Sequence, residues 1–185
     1  MNKLWIALIT LVTLSASAQM NSAPINDPTV GGAAMYPTKT IVENAVNSPI
    51  HTTLVAAVKA AGLVDTLNSP GPFTVFAPTN AAFNKLPPGI VDNLLKPENK
   101  AALTKVLTYH VVAGRLSAKD IADAIKAGGG KYEMKTVEGG TLTATLSGKK
   151  IMLTDEKGGM ATVTVANVFQ SNGVIHVIDA VLMPN

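Results

Sequence analysis

The chain has 185 residues, of which 47% are hydrophobic and 15% charged, a composition typical of one globular domain or at most two small ones. It contains no cysteine, which excludes disulfides, thiolate metal sites, a cysteine nucleophile and a lipidated N-terminal cysteine. The formal net charge is only +3 at pH 7 and Arg115 is the only arginine, so a nucleic-acid partner is not expected.

Residues 1–18 have the pattern of a secretory signal peptide. A short basic start is followed by the apolar run Leu4–Leu14 and by Ala16-Ser17-Ala18, which fits an A-x-A cleavage site. The alternative is an uncleaved anchor, but this run is shorter than the roughly 18 to 20 apolar residues of a transmembrane helix. We therefore predict secretion to the periplasm or to the extracellular space and cell surface, with no stable membrane span after cleavage.

Residues 19–38 are rich in Ser, Pro, Asn, Gly and Ala without periodicity, which predicts a flexible N-terminal lead. The folded domain is predicted over residues 39–185. It begins with a capping box in which Thr40 is the N-cap and Glu43 reaches back to it. Thr52 or Thr53 is expected to cap the next helix, which ends at a glycine.

The stretch 73–83 changes from strand spacing to helix spacing. Apolar residues suited to both faces of a sheet predict a central strand, and the proline that follows removes a backbone donor. A threonine next to it can cap a helix, so this stretch is expected to tie the sheet to the helices packed on it. The residues that carry this prediction are Phe73, Phe76, Pro78, Thr79, Asn80 and Phe83.

Helices are predicted again up to Tyr109, where Tyr109–Val112 turns β-like. A second capping motif, Ser117–Asp120, is expected to start a helix that residues 128–130, all glycine, terminate. Between residues 134 and 182, short β-rich runs alternate with glycine-containing turns, as in a meander of hairpins. Helices first and strands later predict an α+β domain.

Three segments of the chain resemble signatures of the fasciclin (FAS1) domain family. They are 73–83, similar to the first signature, 107–112, similar to the Tyr-His motif, and 171–184, similar to the second signature. The resemblance extends over about Lys39 to Pro184, the length of one such domain. The signal peptide and lone domain are most similar to small secreted bacterial members.

This resemblance implies a β-sandwich or wedge with helices packed along one side, and a role in adhesion without catalysis. In animal members the Tyr-His motif and an Asp-Ile segment are associated with integrin binding. Tyr109 and His110 match the former, whereas the latter is replaced here by Asn167-Val168, which lacks the carboxylate. We therefore do not expect this chain to bind integrins as the animal members do. The expected partner is a cell-surface protein or polysaccharide.

Tyr109 and His110 have two interpretations. They can form a partner-binding edge, which makes them the candidate partner-binding residues. Alternatively, both rings are buried and hydrogen-bond to the backbone, locking the helices to the sheet, since buried polar groups are nearly always paired.

His176 is predicted to be a core histidine, because apolar residues flank it on both sides. Strand alternation places it on the same face as Val174 and Ile178. Its hydrogen-bond partner is expected near Thr79 or Asn80, which would pin the two signature segments together.

Asn172-Gly173 has the chemistry of a tight turn in which both residues tolerate positive φ, and needs no ligand to explain it. Asp179 is interpreted either as half of a buried polar pair or as a strand-end residue bonded to backbone amides.

No catalytic signature is present in the sequence. The only histidines are His51, His110 and His176, and neither H-E-x-x-H nor G-x-S-x-G spacing occurs. We therefore predict no enzyme, no cofactor and no metal site. One alternative is a catalytic triad of His110 or His176 with Asp179 and a serine, which would have no local sequence motif because its members come together only in the folded chain. The main alternative to an adhesion module is a periplasmic or extracellular protein that binds a small molecule or glycan between sheet and helices, with a hydrolase as the third possibility.

Overall fold

The structure is a computed structural model that describes residues 28–185. The predicted signal peptide and the first residues of the predicted lead, up to residue 27, lie outside the described residues. Among the helices of residues 28–185, none is long and apolar enough to cross a bilayer.

The described part of the chain begins with a small hairpin, in which β1 (Thr29–Val30) pairs antiparallel with β2 (Ala33–Ala34). Gly31 and Gly32 connect the strands at φ values of 62° and 85°, the backbone region that a tight hairpin turn requires. Val30 and the following Met35 are buried in the core. The predicted flexible lead is therefore wrong over residues 29–35, because its glycines form a hairpin turn and the side chains of Val30 and Met35 are buried.

Helices dominate the first two thirds of the described chain, and most of them are short. They are α1 (Ile41–Val46), α2 (Thr52–Ala61), α3 (Val64–Asn68), α4 (Asn80–Asn84), α5 (Ile90–Leu94), a 3₁₀ turn (Pro97–Asn99), α6 (Lys100–Tyr109) and α7 (Ala118–Ala127).

Local side-chain caps start three of these helices as the sequence predicts. Thr40 and Glu43 form the capping box of α1, and Ser117 and Asp120 form that of α7. Thr79 caps α4, where its hydroxyl accepts from the Ala82 amide at 3.2 Å.

The cap of α2 differs from the prediction. Neither Thr52 nor Thr53 is the N-cap, because the helix begins directly after His51, whose side chain makes no cap hydrogen bond. Instead, Asn80 Oδ1 accepts from the Thr53 amide at 3.0 Å, and Asn80 Nδ2 donates to the Thr52 hydroxyl at 2.9 Å. A side chain from α4 therefore satisfies the start of α2 and ties the two helices together.

The remaining strands form one seven-stranded sheet. They are β3 (Phe73–Pro78), β4 (Val111–Ala113), β5 (Lys131–Lys135), β6 (Thr141–Ser147), β7 (Lys150–Thr154), β8 (Met160–Gln170) and β9 (Gly173–Ile178). The spatial order is β4-β3-β9-β8-β7-β6-β5, in which β3 and β9 are parallel and the other neighbours antiparallel. The predicted meander of hairpins is confirmed as β5 to β9.

The sheet curls until its two edges nearly meet. Val112 of β4 forms a bridge with Thr136 just after β5, and the Val137 amide donates to the Val111 carbonyl at 2.8 Å. The fold is therefore an α+β domain, as predicted, with helices beside a single, almost barrel-like sheet.

Alternation along the two parallel strands divides the core in two. On β3, Val75 and Ala77 face the helices and belong to what we call the helical core. Phe76 faces the inside of the curled sheet and belongs to the second core, the sheet core. Phe83 of α4 is buried in the helical core, so the stretch 73–83 contributes to both cores. The central strand predicted from this stretch is confirmed, with apolar side chains on both faces.

Candidate functional site

Tyr109, at the end of α6, is buried inside the curled sheet. Its hydroxyl donates to the Thr141 carbonyl at 2.7 Å and accepts from the Glu156 amide at 3.2 Å. Burial raises the pKa of this phenol to about 12. The ring therefore joins α6 to the loops beside β6 and β7.

His110 is also buried, and both of its ring nitrogens are hydrogen-bonded. Nε2 accepts from the Leu182 amide at 3.0 Å, so the proton lies on Nδ1, which donates to the Val106 carbonyl at 2.8 Å. Burial lowers the pKa of the imidazole to about 4 and keeps it neutral at pH 7. The interpretation of Tyr109 and His110 as an exposed edge is thus corrected, since neither ring reaches the surface.

His176 is a fully buried core histidine, as expected. Nδ1 accepts from the Asn167 amide at 3.3 Å, Nε2 donates to the Leu116 carbonyl at 2.8 Å, and the ring stacks on Phe76 with centroids 5.7 Å apart. Burial lowers its pKa as well.

The expected partner of His176 near Thr79 or Asn80 is wrong. His176 is in register with Phe76, and its ring stacks on Phe76 in the core inside the curled sheet. Thr79 and Asn80 lie beyond the end of β3, where their side chains bond to the starts of α4 and α2.

Asn172 ties three segments together at the β8–β9 turn. Its Oδ1 accepts from the Ile41 amide at 3.0 Å, and its Nδ2 donates to the carbonyls of Leu67 and Ser69 at 2.7 and 2.9 Å. The side chain therefore connects the turn to the start of α1 and the end of α3.

The predicted turn is present, and neither Asn172 nor Gly173 adopts the positive φ that both residues tolerate. Among residues 28–185, Asn167 is the single non-glycine residue with positive φ, and Gly173 is not among the positive-φ glycines. Gly173 is required for a different reason, because a Cβ there would lie 2.2 Å from the Phe73 carbonyl oxygen. The glycine permits β9 to approach β3 closely.

Asp179 follows β9 and is a strand-end residue. Its Oδ1 accepts from the Thr162 amide at 2.7 Å, and its Oδ2 lies 3.7 Å from the Lys85 ammonium in a largely exposed pair. The interpretation as a residue bonded to a backbone amide holds, and the buried polar pair is not formed.

The segment that aligns with the Asp-Ile motif is structural here. Asn167 Oδ1 accepts from the Ala118 amide at 2.7 Å, at the start of α7, and Val168 is fully buried. Val168 is therefore closed to a partner, and the half-buried Asn167 is bonded to α7.

The catalytic triad considered above is not assembled. Both ring nitrogens of His110 and of His176 bond to backbone atoms, and the Asp179 carboxylate contacts neither ring. Within residues 28–185 there is no group of three or more His, Cys, Asp or Glu side chains that could hold a metal ion.

Two exposed aromatic rings and two cationic side chains lie around the β8–β9 turn instead. Tyr36 is 42% and Phe169 39% exposed, and the Lys39 ammonium lies 4.8 Å from the centre of the Tyr36 ring. The Lys39 carbonyl accepts from the Ser171 amide at 3.0 Å, and Arg115 Nη2 donates to the Ser171 carbonyl at 3.2 Å. We call Tyr36, Lys39, Arg115 and Phe169 the turn surface. No sequence motif marks it as a site, because its members come from three separate parts of the chain.

These observations define the class of protein, an α+β domain in which Tyr109, His110, Asn172 and His176 of the signature segments hold the fold together. The sequence model of the fasciclin domain matches residues 49–184. The chain therefore belongs to the fasciclin family, and it is an adhesion or interaction module of that kind.

Relatives in bacteria are similar over most of their length. Protein sll1483 of Synechocystis sp. is 48% identical over 155 residues, which cover 84% of this chain and 79% of the relative. The immunogenic protein MPB70 of Mycobacterium bovis is 39% identical over 87% of this chain and 76% of the relative. The cell surface glycolipoprotein MPB83 of the same species is 37% identical over 87% of this chain and 66% of the relative.

Among solved structures, the FAS1 domain pair of the insect cell adhesion molecule Fasciclin I has the same fold. The TM-score is 0.72 at 19% sequence identity, and the match covers 80% of this chain. This chain spans about half of that domain pair, 51% of its length.

Proposed function

We propose that the chain is a secreted adhesion module that binds a cell-surface protein or polysaccharide through the turn surface. The observation that carries this proposal is the grouping of two exposed aromatic rings with two cationic side chains around one hairpin turn. Aromatic residues and arginine are enriched where proteins bind one another. The two cations would also attract an acidic polysaccharide.

The position of the turn surface on the fold supports the same proposal. Ser171 bonds to Lys39 and to Arg115 at the end of two long neighbouring strands, and Asn172 next to it is anchored to two helices. A surface held in this way loses little conformational entropy when a partner binds.

Cell retention tests the proposal. Surfaces are coated with purified protein lacking residues 1–18, and the retention of cells of the source organism is measured under flow. The variant Tyr36→Ser/Phe169→Ser should lose most of the retention, because buried aromatic side chains dominate the binding energy of interfaces. Treating the cells with protease or with polysaccharide-degrading enzymes separates the two kinds of partner.

The matched control is Val137→Ser/Met160→Ser, which also removes two exposed apolar side chains, 46% and 61% exposed, from outside the turn surface. It should retain cells like the wild type, and circular dichroism should show that both variants are folded. Equal retention by the two variants would place the binding surface elsewhere. No retention by the wild type would overturn the adhesion proposal.

Secretion is the second part of the proposal, supported by the pattern of residues 1–18. N-terminal sequencing of the protein recovered from the periplasm and from the medium tests it. Cleavage after Ala18 should give a chain that begins at Gln19. An intact Met1 on the exported protein would indicate an uncleaved anchor.

A further inference from the structure

An open groove of about 310 Å³ lies between the first turn of α2, the end of α4 and the first turn of α5. Its apolar lining includes Phe83, which is buried, and Leu86 and Val91, which are half-buried. Ligand pockets span roughly 300–1,000 Å³, so this groove is at the small end of the range. It has room for one small molecule or for one unit of a chain molecule.

Three polar side chains line the same groove and have unused hydrogen-bonding capacity. The Thr53 hydroxyl, the Asn84 amide and the Asp92 carboxylate make no side-chain hydrogen bond or ion pair among residues 28–185. A hydroxyl and an amide both donate and accept, whereas a carboxylate only accepts. A ligand with several hydroxyl groups matches this set.

The charge of the groove narrows the class of ligand. Among residues 28–185, Asp92 is the only charged residue that lines the groove. The nearby Lys85 does not line it, and its ammonium lies 3.7 Å from the Asp179 carboxylate. An anionic ligand would be repelled by Asp92, because like charges brought together disfavour binding. The groove therefore suits an uncharged ligand.

The walls of the groove are held in place by contacts outside it. Asn80 of α4 accepts from the Thr53 amide at 3.0 Å and donates to the Thr52 hydroxyl at 2.9 Å, which ties α4 to the start of α2. Pro87 and Pro88 fix the φ angles of the segment between α4 and α5. A groove that is formed before binding loses little conformational entropy when a ligand enters.

We propose that this groove binds one uncharged sugar unit of a glycan. The C–H groups of the sugar ring contact Leu86 and Val91, and its hydroxyls hydrogen-bond to Thr53, Asn84 and Asp92. The groove shares no residue with the turn surface, so this binding does not depend on the adhesion proposed above.

Three uncharged methyl glycosides test the proposal: methyl β-D-glucopyranoside, methyl β-D-galactopyranoside and methyl α-D-mannopyranoside. Saturation-transfer NMR with the secreted chain should show binding of at least one of them, with a millimolar Kd. In amide NMR spectra of the labelled protein, that sugar should shift the signals of Thr53, Asn84 and Gly89 and leave those of the turn surface unchanged.

The variant Asn84→Ala/Asp92→Ala removes two of the three polar side chains and should raise the Kd at least about tenfold. Asp65→Ala is the matched control, because Asp65 is also an exposed carboxylate in the first turn of a five-residue helix and does not line the groove. It should bind like the wild type. Circular dichroism should show that both variants are folded, since each change is at the surface.

A charged probe tests the role of Asp92 separately. The methyl glycoside of the uronic acid that corresponds to the bound sugar should bind the wild type several times more weakly than the uncharged sugar. This difference should shrink in Asp92→Asn, which removes the repulsion and keeps the size of the side chain.

Three results would overturn the proposal: no binding of any of the three uncharged glycosides to the folded wild type, an unchanged Kd in Asn84→Ala/Asp92→Ala, or shifts confined to residues outside the groove. The turn-surface variant Tyr36→Ser/Phe169→Ser should bind the sugar normally, so a failure here is distinct from a failure of the adhesion proposal.

Discussion

Replacing Asn172 by alanine removes three hydrogen bonds that hold the β8–β9 turn against the helices. The Ile41 amide loses its acceptor at 3.0 Å, and the carbonyls of Leu67 and Ser69 lose their donors at 2.7 and 2.9 Å. Asn172, Ile41 and Leu67 are buried, so water cannot easily replace the lost amide.

The expected loss of stability follows from these contacts. A net contribution of about 1 kcal/mol per hydrogen bond, with unsatisfied buried groups at the upper end, gives a fall of about 3 kcal/mol in the free energy of unfolding. For a domain of this size, such a change lowers Tm by about 6–12 °C. Asn172→Asp should be at least as unstable, because its carboxylate would face the carbonyls of Leu67 and Ser69.

Urea unfolding and thermal melts followed by circular dichroism measure these changes. The matched control is Asn84→Ala, since Asn84 is exposed and its side chain makes no hydrogen bond among the described residues; its stability should stay within about 0.5 kcal/mol of the wild type. If Asn172→Ala loses less than about 1 kcal/mol, the side chain does not stabilise the fold as reasoned here.

Three further changes in stability are expected. The pKa of His110 is about 4 in the folded state and 6.5 in the unfolded state. As the pH falls, the unfolded state therefore takes up a proton at a higher pH than the folded state does. The free energy of unfolding should therefore fall as the pH drops from 6.5 toward 4, and His110 should account for up to about 3 kcal/mol of this fall. Urea titrations that show no fall would contradict a buried neutral ring. Tyr109→Phe leaves the Thr141 carbonyl and the Glu156 amide unpaired and should cost about 1–3 kcal/mol in urea unfolding; an unchanged midpoint would refute these bonds. Gln170→Met should raise Tm, because the side-chain nitrogen and oxygen of Gln170 are buried without a hydrogen-bond partner among residues 28–185. A lower Tm would show that these two atoms are hydrogen-bonded in solution.

Local chemistry made several elements predictable. The caps at Thr40, Thr79 and Ser117 depend on hydrogen bonds that span three residues, so their partners can be identified in the sequence itself. The strand within 73–83 and the hairpins after residue 130 are likewise encoded by alternation and by turn residues. Three short segments were also sufficient to identify the family.

Distant contacts explain the corrections. The side chain of Asn80 caps α2 from 27 residues away, and His176 bonds to Leu116, 60 residues away. The glycines and prolines around Val30 and Met35 predict a flexible lead, yet both side chains are buried in the helical core. No local pattern distinguishes such residues from a linker, because the surfaces that cover them come from other parts of the chain.

The sequence alone determined the class of fold, the order of helices and strands, and the burial expected of His176, because each depends on neighbouring residues. Only the tertiary structure decided that Tyr109 and His110 are interior, and that two exposed rings and two cationic side chains lie around one turn. Exposure and proximity are properties of the packed chain: Asn172 and Ile41 are 131 residues apart in sequence, yet their atoms lie 3.0 Å apart once the sheet and helices pack.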